Sequence, residues 1–112
     1  MKSTAHRFMG PAVKRSLKTL GRNIQIARKK RRLRIEDLAA AASCSPDTVR
    51  RLEGGDPGVS IGVLAMVLNG LDRRKLLDEL LDVASDVGGL LLDEAHLPQR
   101  VRRRSPDSEN GR

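Results

Sequence analysis

The hydrophobic residues of this 112-residue chain recur at helical spacing over most of its length. Apolar residues three or four positions apart form one face of an α-helix, and no long stretch alternates apolar with polar residues as a half-buried strand does. The pattern predicts a first helix from about residue 12 or 17 to 32, followed by helices over about 35–42, 46–53, 61–71 and 73–84. The segment 87–96 is ambiguous, because Gly88-Gly89 would break a helix whose three leucines must be buried. We therefore predict an all-α fold of four to five helices.

The segment 35–53 predicts two short helices joined by a tight turn. Five of its residues are spaced to bury one shared face: Leu38, Ala39, Ala42, Val49 and Leu52. Ser43 and Cys44 form the turn. Ser45 occupies the N-cap position and Pro46 the first helical position, where a missing N–H costs nothing. This is the layout of a helix-turn-helix, whose second helix enters the DNA major groove.

The segment 20–55 resembles the phage-repressor (Xre) type of helix-turn-helix domain. The residues that carry the resemblance are Asp37, Leu38, Ala39, Cys44, Ser45, Thr48, Val49, Arg51, Leu52, Glu53 and Gly55. Two departures stand out. The helix before the turn starts with Arg34-Ile35 where the family has Thr/Ser-Gln, and Ser43 stands where the family prefers glycine. The resemblance therefore implies a positive φ at Ser43, which would cost about 1 kcal/mol.

Two further stretches, 52–62 and 97–102, look like HipB-type antitoxin repressors, which are encoded beside HipA-like serine/threonine kinases. With them, the resemblance covers roughly residues 12–104. It implies a transcriptional repressor that represses its own operon and holds a HipA-like kinase toxin inactive. Since one helix-turn-helix reads only a few base pairs, we expect a homodimer on a palindromic double-stranded DNA operator. The alternatives are a stand-alone Xre-type regulator and a non-specific nucleic-acid-binding protein.

The resemblance places the residues that face base edges near the start of the third helix. They are Pro46, Asp47, Thr48, Arg50 and Arg51. An arginine pairs bidentately with O6 and N7 of guanine, so Arg50 and Arg51 are the stronger candidates, with phosphate contact or solvent exposure as the alternatives. Asp47 can accept a hydrogen bond from cytosine, but an acid in the first turn more often complements the helix dipole. Pro46 offers only its ring.

Phosphate contacts are expected from cations before the turn and from groups at helix starts. The candidates are Lys29, Lys30, Arg34, Ser45, Gly55 and Ser60. The resemblance assigns a different role to Arg28 and Glu53, which form a structural ion pair that fixes the third helix.

The charge of the chain is unevenly distributed around its net value of +8. Residues 1–34 carry 12 Lys/Arg and no acid, residues 35–97 carry 5 Lys/Arg and 12 acids, and residues 98–112 carry 5 Lys/Arg and 2 acids. This charge distribution suits a protein that binds a polyanion on one side and a partner on the other, although basic ends can also serve solubility alone.

We predict a flexible basic arm over 1–11, a DNA-binding and dimerisation domain over 12–96, and a basic, largely disordered tail over 97–112. The tail follows the minor groove, binds an acidic patch on a partner, or makes no contact.

Several aliphatic residues exceed what so small a core needs, and we assign them to a two-fold dimer interface. They are Val63, Met66, Val67, Val83, Val87, Leu90, Leu91 and Leu92. Alternatively, they complete the monomer core around Gly88-Gly89.

No catalytic or metal-ligating constellation is evident in the sequence. The single cysteine, Cys44, predicts a buried structural thiol, and His6 and His96 lie far apart without a partner pattern. We therefore expect no enzyme activity, cofactor or metal. No signal-peptide pattern or run of about 18 apolar residues is present, which predicts a cytoplasmic protein with no membrane contact. The resemblance implies that the protein is bacterial and nucleoid-associated.

Overall fold

The structure, a computed structural model, describes residues 8–96. Those residues form helices without any strand, which confirms the all-α prediction. The helices are α1 (Pro11–Lys30), α2 (Ile35–Ala41), α3 (Pro46–Glu53), α4 (Ile61–Gly70), α5 (Lys75–Glu79) and α6 (Val87–His96). The chain divides into two units between Leu77 and Asp78, the first holding α1–α4 and the second holding α6. Most of the predicted arm (residues 1–7) and the whole predicted tail (97–112) lie outside the described residues, and Pro11, the last residue of that arm, is helical.

The first unit is built around α3, against which α1 and α2 both pack, while α2 also packs against α4. Its buried hydrophobic residues are Ile24, Leu38, Ala39, Ala42, Val49, Leu52, Val67, Leu68 and Leu71. All five residues predicted to share a buried face over 35–53 are among them. The shared buried face of the predicted helix-turn-helix therefore supplies five of the nine buried hydrophobic residues of this core.

Gly21, in the middle of α1, allows this helix to approach α3 closely. A Cβ atom built on Gly21 would lie 2.6 Å from the carbonyl oxygen of Leu52, well inside van der Waals contact. Glycine within a helix costs about 1 kcal/mol relative to alanine, so its presence here is explained by packing. Gly21 thus brings α1 directly against the C-terminal end of α3.

A residue with left-handed backbone lies two positions after the end of each of the first four helices. These residues are Arg32, Ser43, Gly55 and Asp72, with φ values of 56°, 56°, 81° and 61°. After α2, the N–H of Cys44 donates to the carbonyl of Ala39 at 3.0 Å and that of Ser43 to Ala40 at 3.2 Å. This is a Schellman motif, which satisfies the last carbonyls of the helix. The same reversal at Arg32 explains why α1 ends at Lys30, two residues before its predicted end.

The predicted fifth helix, over about 73–84, is wrong in its extent. Only Lys75–Glu79 is helical, because the backbone turns left-handed at Leu81 with φ 54°. The ambiguous segment 87–96 does form a helix, and Gly88-Gly89 lies in its first turn. Asp86 precedes this helix, and the Asp86 carboxylate accepts a hydrogen bond from the N–H of Gly89 at 3.1 Å. A capping carboxylate at this position satisfies an N–H that has no partner within the helix.

The structure corrects one residue of the predicted dimer interface. Val67 is fully buried in the first unit, so its side chain offers no surface to a second copy. Val63 is half-buried and packs against the same core. The remaining predicted interface residues are exposed: Met66, Val83, Val87, Leu90, Leu91 and Leu92. Burial of the α6 leucines within the described chain is therefore not observed.

Candidate nucleic-acid interface

The start of α3 is fixed by the capping interaction that the sequence predicts. The hydroxyl oxygen of Ser45 accepts a hydrogen bond from the backbone N–H of Thr48 at 3.1 Å, and the two hydroxyls lie 2.9 Å apart. Pro46 follows at the first helical position. An N-cap of this kind contributes about 1 kcal/mol to helix stability. The predicted positive φ at Ser43 is also present, so the turn before α3 is made without glycine.

Helix α3 has one buried side and one exposed side. Val49 and Leu52 face the core, whereas Asp47, Arg50 and Arg51 are exposed. Positions three and four residues apart share a helix face, so these three polar side chains lie together on the outer surface. The other two predicted base-contact residues, Pro46 and Thr48, are half-buried at the beginning of the helix.

The end of α3 is held by a buried ion pair, as the family resemblance implies. The guanidinium of Arg28 donates from Nε to a Glu53 carboxylate oxygen at 2.7 Å and from a terminal nitrogen to the other oxygen at 3.2 Å. A third hydrogen bond goes to the carbonyl oxygen of Leu33 at 2.9 Å. The hydrogen bond to Glu53 raises the pKa of Arg28. One side chain therefore joins the end of α1, the following loop and the end of α3.

The two arginines on the exposed side of α3 differ in their environment. The Arg51 Nε donates to a carboxylate oxygen of Asp56 at 2.7 Å, and this hydrogen bond raises the pKa of Arg51. The other oxygen of Asp56 accepts from the N–H of Gly58 at 2.7 Å, which orders the loop after α3. Arg50 makes no ion pair within residues 8–96.

The predicted phosphate-contacting residues occupy different local settings. Arg34 precedes α2, and its backbone N–H donates to the Asp37 carboxylate at 2.8 Å, which is half of a capping box. Its guanidinium also pairs with Asp37, which lowers the pKa of that carboxyl and raises the pKa of Arg34. Lys29 and Lys30 are exposed in the last turn of α1.

The remaining phosphate candidates lie at or after helix ends. The hydroxyl oxygen of Ser60 caps α4 by accepting from the N–H of Val63 at 3.1 Å, which leaves the hydroxyl proton available to donate. Gly55 has a φ of 81°, and a Cβ there would lie 2.8 Å from the Cα of Lys18. The loop after α3 therefore runs close to Lys18 of α1.

A comparison with known families decides the class of the protein. A model of the helix-turn-helix domain family matches residues 19–80, which is more than half of the chain. The chain belongs to this family. The match supports the Xre-like resemblance and a DNA-binding regulator, with α2 and α3 as the two helices of the motif. No curated protein and no solved structure matches the chain.

Sequence reasoning missed Asp56, which the structure places beside the exposed side of the second helix of the motif. An ion pair from a helix to a loop five residues later follows no fixed periodicity, so helical spacing does not predict it. The available signal was the spacing Asp-x-Gly, since an Asp side chain often accepts a hydrogen bond from the backbone N–H two residues ahead.

Cys44 is half-buried against the core, and burial raises the pKa of its thiol.

Within residues 8–96, no group of three or more His, Cys, Asp or Glu residues is arranged to hold a metal ion. None of the helices in that range is long and apolar enough to cross a membrane.

Proposed function

We propose that this helix-turn-helix protein is a sequence-specific transcriptional repressor that reads DNA with the exposed side of α3. The observation that carries the proposal is the contrast between the two sides of this helix. Its inner side is held by Val49, Leu52 and the Arg28–Glu53 pair, while its outer side presents Arg50 and Arg51. A rigidly held helix with exposed guanidinium groups suits recognition of base edges in a major groove.

The residues proposed to contact phosphates lie before and after α3 in the sequence. Lys29 and Lys30 end α1, Arg34 starts α2, and Ser60 starts α4, where backbone N–H groups favour an anion. Such contacts orient the protein on the duplex without reading its sequence. The base contacts of α3 then account for specificity.

A binding titration tests the proposal. We would measure affinity for the DNA upstream of the protein's own gene and for scrambled DNA at two salt concentrations. The variant Arg50→Ala/Arg51→Ala removes two charges from α3, and Arg73→Ala/Lys75→Ala removes two exposed charges outside the motif. Selective binding that is lost only in the α3 variant supports the proposal. Equal affinity for both DNAs, falling steeply with salt and unaffected by the α3 variant, means that the protein contacts only the backbone.

We further propose that the protein acts as a homodimer through exposed aliphatic residues of its second unit. Val83, Val87 and Leu90–Leu92 are all exposed, and exposed aliphatic side chains in this number are typical of an interaction surface. A dimer would match the two half-sites of a palindromic operator. Sedimentation over a range of concentrations, with Leu91→Asp beside the wild type, tests this point. A wild-type protein that is monomeric throughout contradicts it.

The antitoxin role rests on the resemblance of the loop 52–62 and of residues 97–102 to HipB-type repressors. We propose a HipA-like kinase as the second partner. The test is to purify the product of the neighbouring gene and assay its kinase activity with and without this protein. Inhibition at equimolar amounts supports the antitoxin role. A neighbour that is not a kinase, or a kinase that is unaffected, favours a stand-alone Xre-type regulator.

A further inference from the structure

Arg51, near the end of α3, forms a small cluster with Asp56 and Gly58 of the following loop. Asp56 accepts from Arg51 Nε with one oxygen and from the Gly58 N–H with the other, each at 2.7 Å. Gly58 leaves room for this arrangement, because a Cβ there would lie 3.1 Å from the carboxylate and 3.2 Å from a terminal nitrogen of Arg51. We call Arg51, Asp56 and Gly58 the arginine clamp.

The clamp fixes the direction of the guanidinium through its Nε. A guanidinium has five N–H donors in a planar fork, so one bond at Nε leaves the donors on its two terminal nitrogens. Two parallel hydrogen bonds from this end match the O6 and N7 acceptors of guanine. The ion pair therefore orients Arg51 while leaving its donors for a planar base edge.

Arg50 provides a comparison within the same helix. It is exposed like Arg51 but makes no ion pair with any residue between 8 and 96. An unheld arginine loses side-chain freedom when it binds, whereas a side chain already held in position loses less. Of two neighbouring arginines, the clamped one is therefore better prepared for a geometrically specific contact.

We propose that Asp56 is a positioning residue that holds Arg51 for end-on recognition of guanine, so that Arg51 rather than Arg50 determines the base preference. This inference rests on the proposed DNA-binding function and names the base that α3 reads. Asp56 itself carries a negative charge and is not expected to contact the DNA backbone.

The experiment uses the full chain and a duplex selected by the wild-type protein from a randomised DNA library. Affinity is measured for this duplex and for a set in which each guanine is replaced in turn. Asp56→Asn removes the charge of the clamp, Asp56→Glu keeps the charge but moves it, and Asp72→Asn removes one exposed charge elsewhere. Thermal unfolding of each variant shows that the fold is retained.

We expect one guanine whose replacement weakens wild-type binding about tenfold or more, within the range of a bidentate pair. Asp56→Asn and Asp56→Glu should both reduce this discrimination severalfold, while Asp72→Asn leaves it unchanged. In an Arg51→Ala background, Asp56→Asn should have no further effect on discrimination. Arg50→Ala should preserve the preference for that guanine.

The opposite results overturn the inference. If Asp56→Asn strengthens binding to every duplex equally and discrimination is retained, Asp56 acts only as a nearby negative charge. If Arg50→Ala removes the guanine preference and Arg51→Ala does not, the assignment of the two arginines is reversed. If the wild type enriches no sequence at all, the proposed function fails as well, so the two failures are distinguishable.

Discussion

The two units of this protein treat their hydrophobic residues in opposite ways. The first unit encloses nine buried hydrophobic residues, and its four helices end in backbone reversals that satisfy their last carbonyls. In the second unit, the leucines and valines from residue 80 to residue 92 are exposed. Residues 78–96 also carry six acids and no lysine or arginine, whereas the first 34 residues carry no acid at all.

The difference means that the first unit is stabilised by burial within one chain, whereas the second unit has apolar surface that association with a partner would bury. Apolar side chains contribute to stability only when they leave water, at about 25 cal/mol per Å². The first unit obtains that contribution within one chain. The second unit does not obtain it within the described residues, which is why we assign partner contacts to it and DNA contacts to the first.

The largest effect should come from shortening one leucine in each unit. Leu38 is fully buried and Leu91 is 60% exposed. We expect Leu38→Ala to lower the free energy of unfolding by about 3–4 kcal/mol through lost burial and a residual cavity. Leu91→Ala should change it by less than about 0.5 kcal/mol in dilute solution. Urea denaturation at low protein concentration measures both, and equal effects would abolish the distinction between the units.

The buried ion pair should produce the next largest effect. Arg28→Met leaves the Glu53 carboxylate buried without its partner, which we expect to cost about 3 kcal/mol. Arg31→Met is the control, because Arg31 is exposed and the hydrogen bond of its side chain goes to the carbonyl oxygen of Ala27 in the last turns of α1. The double variant Arg28→Met/Glu53→Leu should recover most of the loss, since it removes both charges. A double variant as unstable as the single one would mean that the contact to Leu33 dominates.

The N-cap of α3 should contribute a moderate effect. Ser45→Ala removes the acceptor of the Thr48 N–H, and we expect a loss of about 1 kcal/mol. Ser16 is exposed within α1, where its hydroxyl bonds only to the carbonyl of Ala12. Ser16→Ala should therefore be neutral or slightly stabilising. Thermal unfolding of both variants checks the contrast, and equal losses would argue against a specific cap.

Replacing Ser43 with glycine should stabilise the first unit slightly. Ser43 adopts φ 56°, which glycine reaches without steric cost, and we expect a gain of up to about 1 kcal/mol, reduced by the greater freedom of glycine in the unfolded chain. Ala40→Gly, inside α2, should instead destabilise by about 1 kcal/mol. Unfolding midpoints of the two variants should move in opposite directions. A lower midpoint for Ser43→Gly would show that the seryl side chain has a stabilising role.

The smallest effect should be a dependence of α2 on acid. Arg34 lowers the pKa of Asp37 in the folded protein, so the pair stabilises the fold above the ordinary Asp pKa near 4 and loses that contribution as pH falls through the lowered value. Asp37→Asn should remove this component of the acid-induced loss of stability. An NMR titration of the Asp37 carboxyl measures the pKa directly, and a value at or above the ordinary one would contradict the prediction.

The parts of the structure predicted best are those with local signals. Helix α3 begins and ends where predicted, because Ser45-Pro46 is an N-cap signal and Gly54-Gly55 marks a loop. The second half of the predicted fifth helix failed because leucine spacing is equally compatible with an irregular exposed segment. Val67 was assigned to the surface because helical periodicity alone does not say which face meets α2.

The candidate site shows the same limit. The pair Arg28–Glu53 came from the family resemblance, and the structure has it. Asp56 was not predicted as a partner of Arg51, since contact between a helix and a following loop depends on the path of that loop. The three-dimensional path of the chain, rather than residue type, decides which charged side chains form an ion pair.

The close approach at Gly21 has a consequence for how the protein tolerates change. A methyl group at this position would collide with the backbone of α3, and a shift of that backbone would displace the exposed side of the helix, which we propose contacts DNA. In a library of all single substitutions selected for DNA binding, position 21 should accept glycine alone, while exposed Arg22 beside it accepts most residues. Gly21, which has no side chain, is then the position of α1 that tolerates the fewest substitutions.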